Sequence, residues 1–283
     1  TSILERLCGS LSDAVSGGAE SQQILEALER DGHFLVALDD EREWYRYHRL
    51  FGDYLRNELN RRFPEDVAGL HSRAARWYLE RDLPDEAFHH AAAAEDVELL
   101  IQILDLYQIP RLFAGEFRQV ERWLAELRPE WSERYPMLDL AQATYSIVSG
   151  SLEAGVACVD RVERRLSRNG ASDIEGDLAK IAAFRCAVAC FRNELEQAER
   201  YAELALRGLP PDDCAYRAST CHALGDTYRR NGRWEEARYC YREALAFAEE
   251  LAPLARVGHA AHVEGALADL ELARGRLLAA ATH

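Results

Sequence analysis

Between Ala215 and Ala248 small and large apolar residues recur at offsets that only paired helices explain. Leu224, Gly225 and Tyr228 share one helical face, Gly232 breaks the chain, and Ala237, Tyr241 and Ala244 look back from a second helix. This pattern predicts a helical hairpin in which Gly225 and Ala237 let the two backbones approach while Tyr228 and Tyr241 fill the space beside them. A hairpin with one apolar face buries it only by stacking on others, so the pattern should recur.

It does. With Gly232 as reference, comparable turns fall at Asp82, Gly115, Gly150, Asn193 and Gly275, at spacings of 33, 35, 43, 39 and 43 residues. Five residues beyond each turn stand Ala87, Val120, Gly155, Ala198, Ala237 and Ala280, nearly all small. Ala198 is followed by Ala202, Ala205 and Pro210, where the tetratricopeptide pattern wants small, small and proline. About six stacked hairpins are expected, the outer ones degenerate. Loop-like insertions at Ser167–Ser172 and Pro210–Asp213 account for the longer intervals. The chain stops at His283, midway through what reads as the second helix of the last hairpin.

The opening 65 residues or so follow another grammar. Thr1–Leu11 reads as helix, Ser16-Gly17-Gly18 breaks it, and Ser21 is placed to cap a helix running through Arg30. The period then changes to two. His33–Leu38 predicts a strand, Asp39–Arg42 a turn and Trp44–Tyr47 the returning strand. Helical spacing resumes with Leu50, Phe51, Tyr54, Leu55 and Leu59 on one side, and Pro64 opens the next helix. Helix, helix, hairpin and helix is the order of a winged-helix module lacking its beginning. The expected fold is therefore all-α with one small β-hairpin: part of a winged helix over residues 1–63, then a tetratricopeptide-like α-α superhelix over 64–283.

Charge narrows the function classes. The 283 residues carry a formal net charge of -15, and residues 1–66 hold eight arginines against fourteen acids. Phosphate contacts need a basic face, so direct DNA contact by this wing is the poorer reading and a packing module the better one. The seven cysteines include no C-x-x-C pair and mostly occupy apolar helical positions, as expected of small core residues in a reducing cytoplasm. No apolar run is long enough to span a bilayer, and no basic-then-apolar leader opens the chain. Thr1 enters helix-like sequence at once without a starting Met, so a piece cut from a longer protein is expected.

Chemistry of the usual catalytic kinds is missing from the motifs. No G-x-x-x-x-G-K-[ST], G-x-G-x-x-G or G-x-S-x-G occurs, and no enzyme activity, metal or cofactor is expected. His89 and His90 are adjacent and so point about 100° apart on a helix, which suits one surface and one core side chain better than a shared metal. Trp77-Tyr78 reads as core. The remaining surface is the inner groove lined by the first helix of each hairpin. Its stripe in the best repeat is Ser219, His222, Asp226 and Arg229. The neighbouring hairpins add Lys180, Ala183 and Ala187, then Leu140 and Thr144, and finally His262 and Asp269. Thr144, Lys180, His222, Asp226, Arg229 and His262 are the candidate ligand-binding residues, set against the plainer reading of a solvated face laced with ion pairs. Such a wall suits a small amphipathic ligand or a peptide better than a polyanion.

Three segments carry a family resemblance: TSILERLCGSLSDAVSG at Thr1–Gly17, HFLVALDDEREWYRYHRLFGDYLRNEL at His33–Leu59 and HSRAARWYLERDLPDEAFHHAAAAED at His71–Asp96. The chain resembles the winged-helix and tetratricopeptide portion of the large LuxR-family, MalT-like transcriptional regulators. The resemblance implies a cytoplasmic signal-transduction ATPase whose P-loop domain, with its ATP, and whose DNA-reading helices lie outside this sequence. It implies as partners an inducer or peptide in the groove, the nucleotide-binding domain of the same protein, and further copies in a self-association that the inducer releases. It names no inducer. A hinge is expected at Arg61-Arg62-Phe63-Pro64, between two arrangements of winged helix and superhelix. A generic tetratricopeptide scaffold for protein partners is the alternative.

Overall fold

The computed structural model describes residues 1–169, 174–273 and 275, and divides into two compact units, Thr1–Leu100 and Ile101–His283. The first holds α1 (Gly9–Ser16), α2 (Ser21–Arg30), β1 (Leu35–Ala37), β2 (Tyr45–Tyr47), α3 (Arg49–Arg62), α4 (Pro64–Leu79) and α5 (Pro84–Ala94). The strands pair antiparallel, Leu35 with Tyr47 and Ala37 with Tyr45. Asp39 closes their turn by accepting the Glu43 and Trp44 amides at 2.8 and 3.0 Å.

Two local readings need correction. Thr1–Cys8 is not helical: Leu7 exchanges two 2.7 Å backbone hydrogen bonds with Tyr45, so the chain approaches as a partial third strand. That geometry sends Leu4 and Leu7 inward, where they are buried with Leu11 and Val15. Ser21 is the first residue of α2 rather than its cap; Glu20 precedes it at φ 67°, and Asp13 accepts the Ser21 amide at 3.0 Å.

Pro64 stands at the start of α4, with Phe63 as the single residue between α3 and α4. The hairpin α4–α5 belongs to the same compact unit as the winged module. Arg73 Nε donates to the Val15 carbonyl at 2.8 Å, and the Trp44 and Trp77 rings meet edge-on at 6.4 Å. A hinge at Arg61–Pro64 would have to break these contacts. His90 is buried and shares a 2.8 Å hydrogen bond with His71, while His89 is exposed, the split expected for adjacent helical residues.

The second unit, with α6 crossing into it, holds α6 (Val97–Phe113), α7 (Phe117–Glu126), α8 (Pro129–Arg134), α9 (Leu138–Val148), α10 (Leu152–Asn169), α11 (Ile174–Arg192), α12 (Leu195–Gly208), α13 (Cys214–Arg230), α14 (Trp234–Glu249) and α15 (Pro253–Ala273). All six turn positions read from the sequence adopt the left-handed conformation, from φ 57° at Asp82 and Asn193 to φ 93° at Gly150. At the first five, the next residue returns its amide to a carbonyl five residues back: Leu83 to Tyr78, Glu116 to Arg111, Ser151 to Ser146, Glu194 to Ala189 and Arg233 to Tyr228. This is the Schellman closure, which satisfies orphan carbonyls and turns the chain. It explains why a glycine, or a residue with a short polar side chain, recurs there. Ala87, Val120, Ala198 and Ala237 are wholly buried beyond their turns, and Gly155 is buried; Ala280 lies outside the described residues.

Of the two expected insertions, Pro210–Asp213 is a loop, whereas Ser167 belongs to α10, which runs on to Asn169; residues 170–172 of that stretch lie outside the described residues. Among the described residues, strands are confined to the first unit, and no helix is long and apolar enough to cross a membrane.

Helix α6 departs from the simple hairpin picture. Its sequence, VELLIQILDLYQIPRLF, is apolar nearly all round, the signature of a helix covered on several sides, and it continues through Pro110. Asp105 reaches Lys180 of α11 and accepts from the Tyr216 hydroxyl of α13 at 3.1 Å; Gln108 donates to the Ala141 carbonyl of α9 at 2.6 Å. Pro110 presses against Gly258 of α15. One helix thus touches the first helix of every later hairpin.

Candidate functional site

Where α6 ends, the first helices of the repeats leave a cavity of about 420 Å³. Ile109, Leu112 and Phe113 close one side, with Phe117 from α7. Thr144, Ile147 and Val148 come from α9, and Ala183, Phe184, Ala187, Cys190 and Phe191 from α11. Helix α13 supplies the polar side with Ser219, Thr220, His222, Asp226 and Arg230, and α15 adds His262. Second helices of the hairpins α9–α10, α11–α12 and α13–α14 contribute nothing, because the alternation of a helical hairpin puts its first helix on the inside.

His222 is the most constrained of these groups. Its ring meets Phe113 at 5.4 Å and His262 at 4.7 Å, both edge-on, and Tyr241 at 5.9 Å. Burial pushes its pKa down to about 4; Asp226 opposes the shift and His262 reinforces it. The imidazole is therefore neutral near pH 7, and the 3.9 Å approach of its Nε2 to Asp226 is no ion pair there. Asp226 accepts from the Tyr241 hydroxyl at 2.6 Å and stands 3.6 Å from Arg229. His259, behind the wall, is fully buried and shares a 3.0 Å hydrogen bond with Ser219. Since the Ser219 hydroxyl donates to the Ala215 carbonyl at 2.7 Å, it accepts from His259 Nε2.

Of the six residues proposed from the sequence, Thr144, His222, Asp226 and His262 line this one cavity. Lys180 and Arg229 do not. Lys180 is turned into the junction with α6, ion-paired with Asp105 and 3.8 Å from Asp213. Arg229 lies against α14, its Nε donating to the Tyr241 hydroxyl at 3.3 Å. The next residue, Arg230, takes the wall position and donates to the Cys190 carbonyl at 2.5 Å. Phe113, Phe117, Phe184, Phe191 and Arg230 are among the lining residues that the helical offsets do not give. The all-round apolar character of α6 was the signal for the first, since such a helix cannot lie on an open surface. All seven cysteines are buried and free; Cys190 reaches the wall, and the Cys186 contact at 3.9 Å and nearby Arg230 hold its thiol below the ordinary value. No metal-binding cluster occurs among the described residues.

Comparison with known proteins agrees with this architecture. Residues 1–67 match the model for the MalT winged helix domain, and residues 217–253 that for a tetratricopeptide repeat. The HTH-type transcriptional regulator MalT of Vibrio cholerae is 30% identical over 77% of this chain, and that of Serratia proteamaculans 31% identical over 83%. The chain resembles a winged-helix and helical-repeat portion of the MalT-like regulators. The Klebsiella pneumoniae MalT aligns at 32% identity over 74% of the chain. The aligned part spans about a quarter of each MalT relative: 24%, 26% and 23% respectively.

Proposed function

We propose that this chain is the sensor portion of a MalT-like transcriptional regulator, with residues 1–63 as the end of its winged helix and 64–283 as its repeat domain. A small-molecule inducer would occupy the cavity at the end of α6 and control self-association of the whole protein. The observation that carries this reading is the cavity itself: about 420 Å³, within the size range of small-ligand sites, mostly apolar, with a few convergent polar groups. An open channel would favour the scaffold reading instead. The winged unit leaves Leu50 at 73% and Phe34 at 60% exposure, apolar surface suited to the nucleotide-binding domain that the resemblance places beside it. ATP would belong to that domain, DNA contact to another, and the setting would be the cytoplasm.

A ligand that binds only the folded state raises its stability by about 2.7 kcal/mol at a hundredfold excess over Kd. Thermal denaturation of the chain against a metabolite collection, in parallel with Ala187→Trp to fill the cavity, tests the reading. A stabilisation seen in the unsubstituted chain and lost in Ala187→Trp is expected, with a change in sedimentation of the full-length regulator. A shift common to both chains, or none with any compound, counts against it.

A further inference from the structure

Two polar atoms of the cavity have no hydrogen-bond partner among the described residues. Asp226 commits Oδ1 to Tyr241 and Arg229, at 2.6 and 3.6 Å. Its Oδ2 is 3.9 Å from His222 Nε2, too far for a hydrogen bond between them. That Nε2 is buried with no hydrogen bond of its own, on a side chain only 5% exposed. A single oxygen atom placed between them would lie within hydrogen-bond reach of both.

The charged groups around this pair already have partners within the protein. Arg229 stands beside Asp226, and Arg230 is given over to the Cys190 carbonyl, near the carbonyl-rich C-terminus of α11, and to Thr227. Phe113, Phe117, Phe184 and Phe191 also line the cavity, Phe113 in contact with the His222 ring. Phe113 already carries a stacked ring, the exposed His262, with centroids 4.4 Å apart and planes 17° from parallel. Flat rings therefore have a platform here.

We propose that the cavity takes an uncharged ring compound bearing a hydroxyl, which donates to Asp226 Oδ2 and accepts from His222 Nε2 while the ring lies among the phenylalanines. Entry turns the exposed His262 side chain aside. The inference rests on the sensor reading and narrows it to one ligand chemistry.

Titration of the chain near neutral pH with 2-naphthol, naphthalene, naphthalene-2-sulfonate and 2-naphthylmethylammonium tests it. The expected result is 2-naphthol binding tightest, by about tenfold over each of the others, the size of effect one or two buried hydrogen bonds give. In Asp226→Asn the 2-naphthol advantage disappears while naphthalene binds as before, which also shows that the cavity is intact. Tighter binding of the sulfonate or the ammonium, lost in Ala187→Trp, overturns the ligand class and leaves the sensor reading standing. Equal loss of 2-naphthol and naphthalene in Asp226→Asn overturns the bridging hydroxyl. Binding by none of the four overturns the hydroxyl-bearing ring as the ligand class, while the sensor reading is decided separately by the metabolite series on the unsubstituted and Ala187→Trp chains.

Discussion

The carbonyl oxygen of Pro110 lies 2.5 Å from where a Cβ on Gly258 would stand, with the Pro110 carbonyl carbon at 3.0 Å. Both are backbone atoms of α6, so neither can rotate away. Helix α15 meets α6 at a distance that only glycine permits.

Gly258→Ala should therefore cost about 1–3 kcal/mol, the usual penalty for overpacking a close contact. Gly265, on the same helix, has nothing within 4 Å of its would-be Cβ. Alanine there removes glycine's backbone entropy cost and should add about 0.5–1 kcal/mol. Urea midpoints of the two variants should move in opposite directions. Movement in the same direction would mean that α6 does not lie against α15 in solution.

The junction of α6 with α11 makes a second prediction. Lys180 and Asp105 are 17% and 22% exposed, and Tyr216 completes the cluster. Burial would lower the Lys180 pKa, but the nearby carboxylates, Asp105 first and then Asp213 and Asp177, hold it above the ordinary value. Lys180→Met leaves a buried carboxylate without its cation and should cost about 3–5 kcal/mol. Replacing Asp105 and its two partners together, as Asp105→Leu with Lys180→Met and Tyr216→Phe, leaves Asp213 as the ion-paired carboxylate deprived of the cation and should recover most of that loss. Chemical denaturation of the two proteins compares them directly; a triple variant no more stable than the single one would show that the ion pair itself, rather than the cost of an orphaned charge, dominates.

The repeat turns were legible because the constraint is local. A left-handed residue that closes a helix demands glycine, or a residue such as Asn193 or Asp82, and a small residue five places on demands a close helix partner. Gly225 shows how far that logic reaches: a Cβ there would stand 2.8 Å from the Tyr241 ring and 3.3 Å from the Ala237 carbonyl, the approach its sequence context predicted. Thr144, His222, Asp226 and His262 followed from the same helical offsets. Lys180 and Arg229 fell away because offsets give a face but not the neighbour that meets it. Lys180 looks toward α6, and α6 comes from a hairpin two repeats earlier, a long-range placement that no spacing within α11 encodes. Thr1–Cys8 was misread for a related reason, since helical spacing of Leu4, Leu7 and Leu11 also fits an extended segment that bridges to Tyr45 before turning into α1.

Three buried histidines set the response to acid. Burial pushes His259 and His90 down to about 3 and His222 to about 4, against an ordinary value of 6.5. Around His259 stand Phe113 and Ser219, with His222 and His262 adding like-charge opposition when protonated. Above pH 6.5 each imidazole is neutral in both folded and unfolded chains, so none is penalised. Between 6.5 and the folded values only the unfolded chain takes up the proton, and stability falls as pH falls, by about 1.4 kcal/mol per pH unit for each such group. The urea midpoint should therefore start to drop just below pH 6.5, before most carboxylates titrate. Burial lowers the His71 pKa as well, so in His259→Phe about a quarter to a third of that early slope should vanish, whatever the variant's stability at pH 7. A pH 7 to 5.5 series that gives the same slope in both chains would mean that His259 is open to protons in the folded state, and that the inner wall behind Ser219 is not closed.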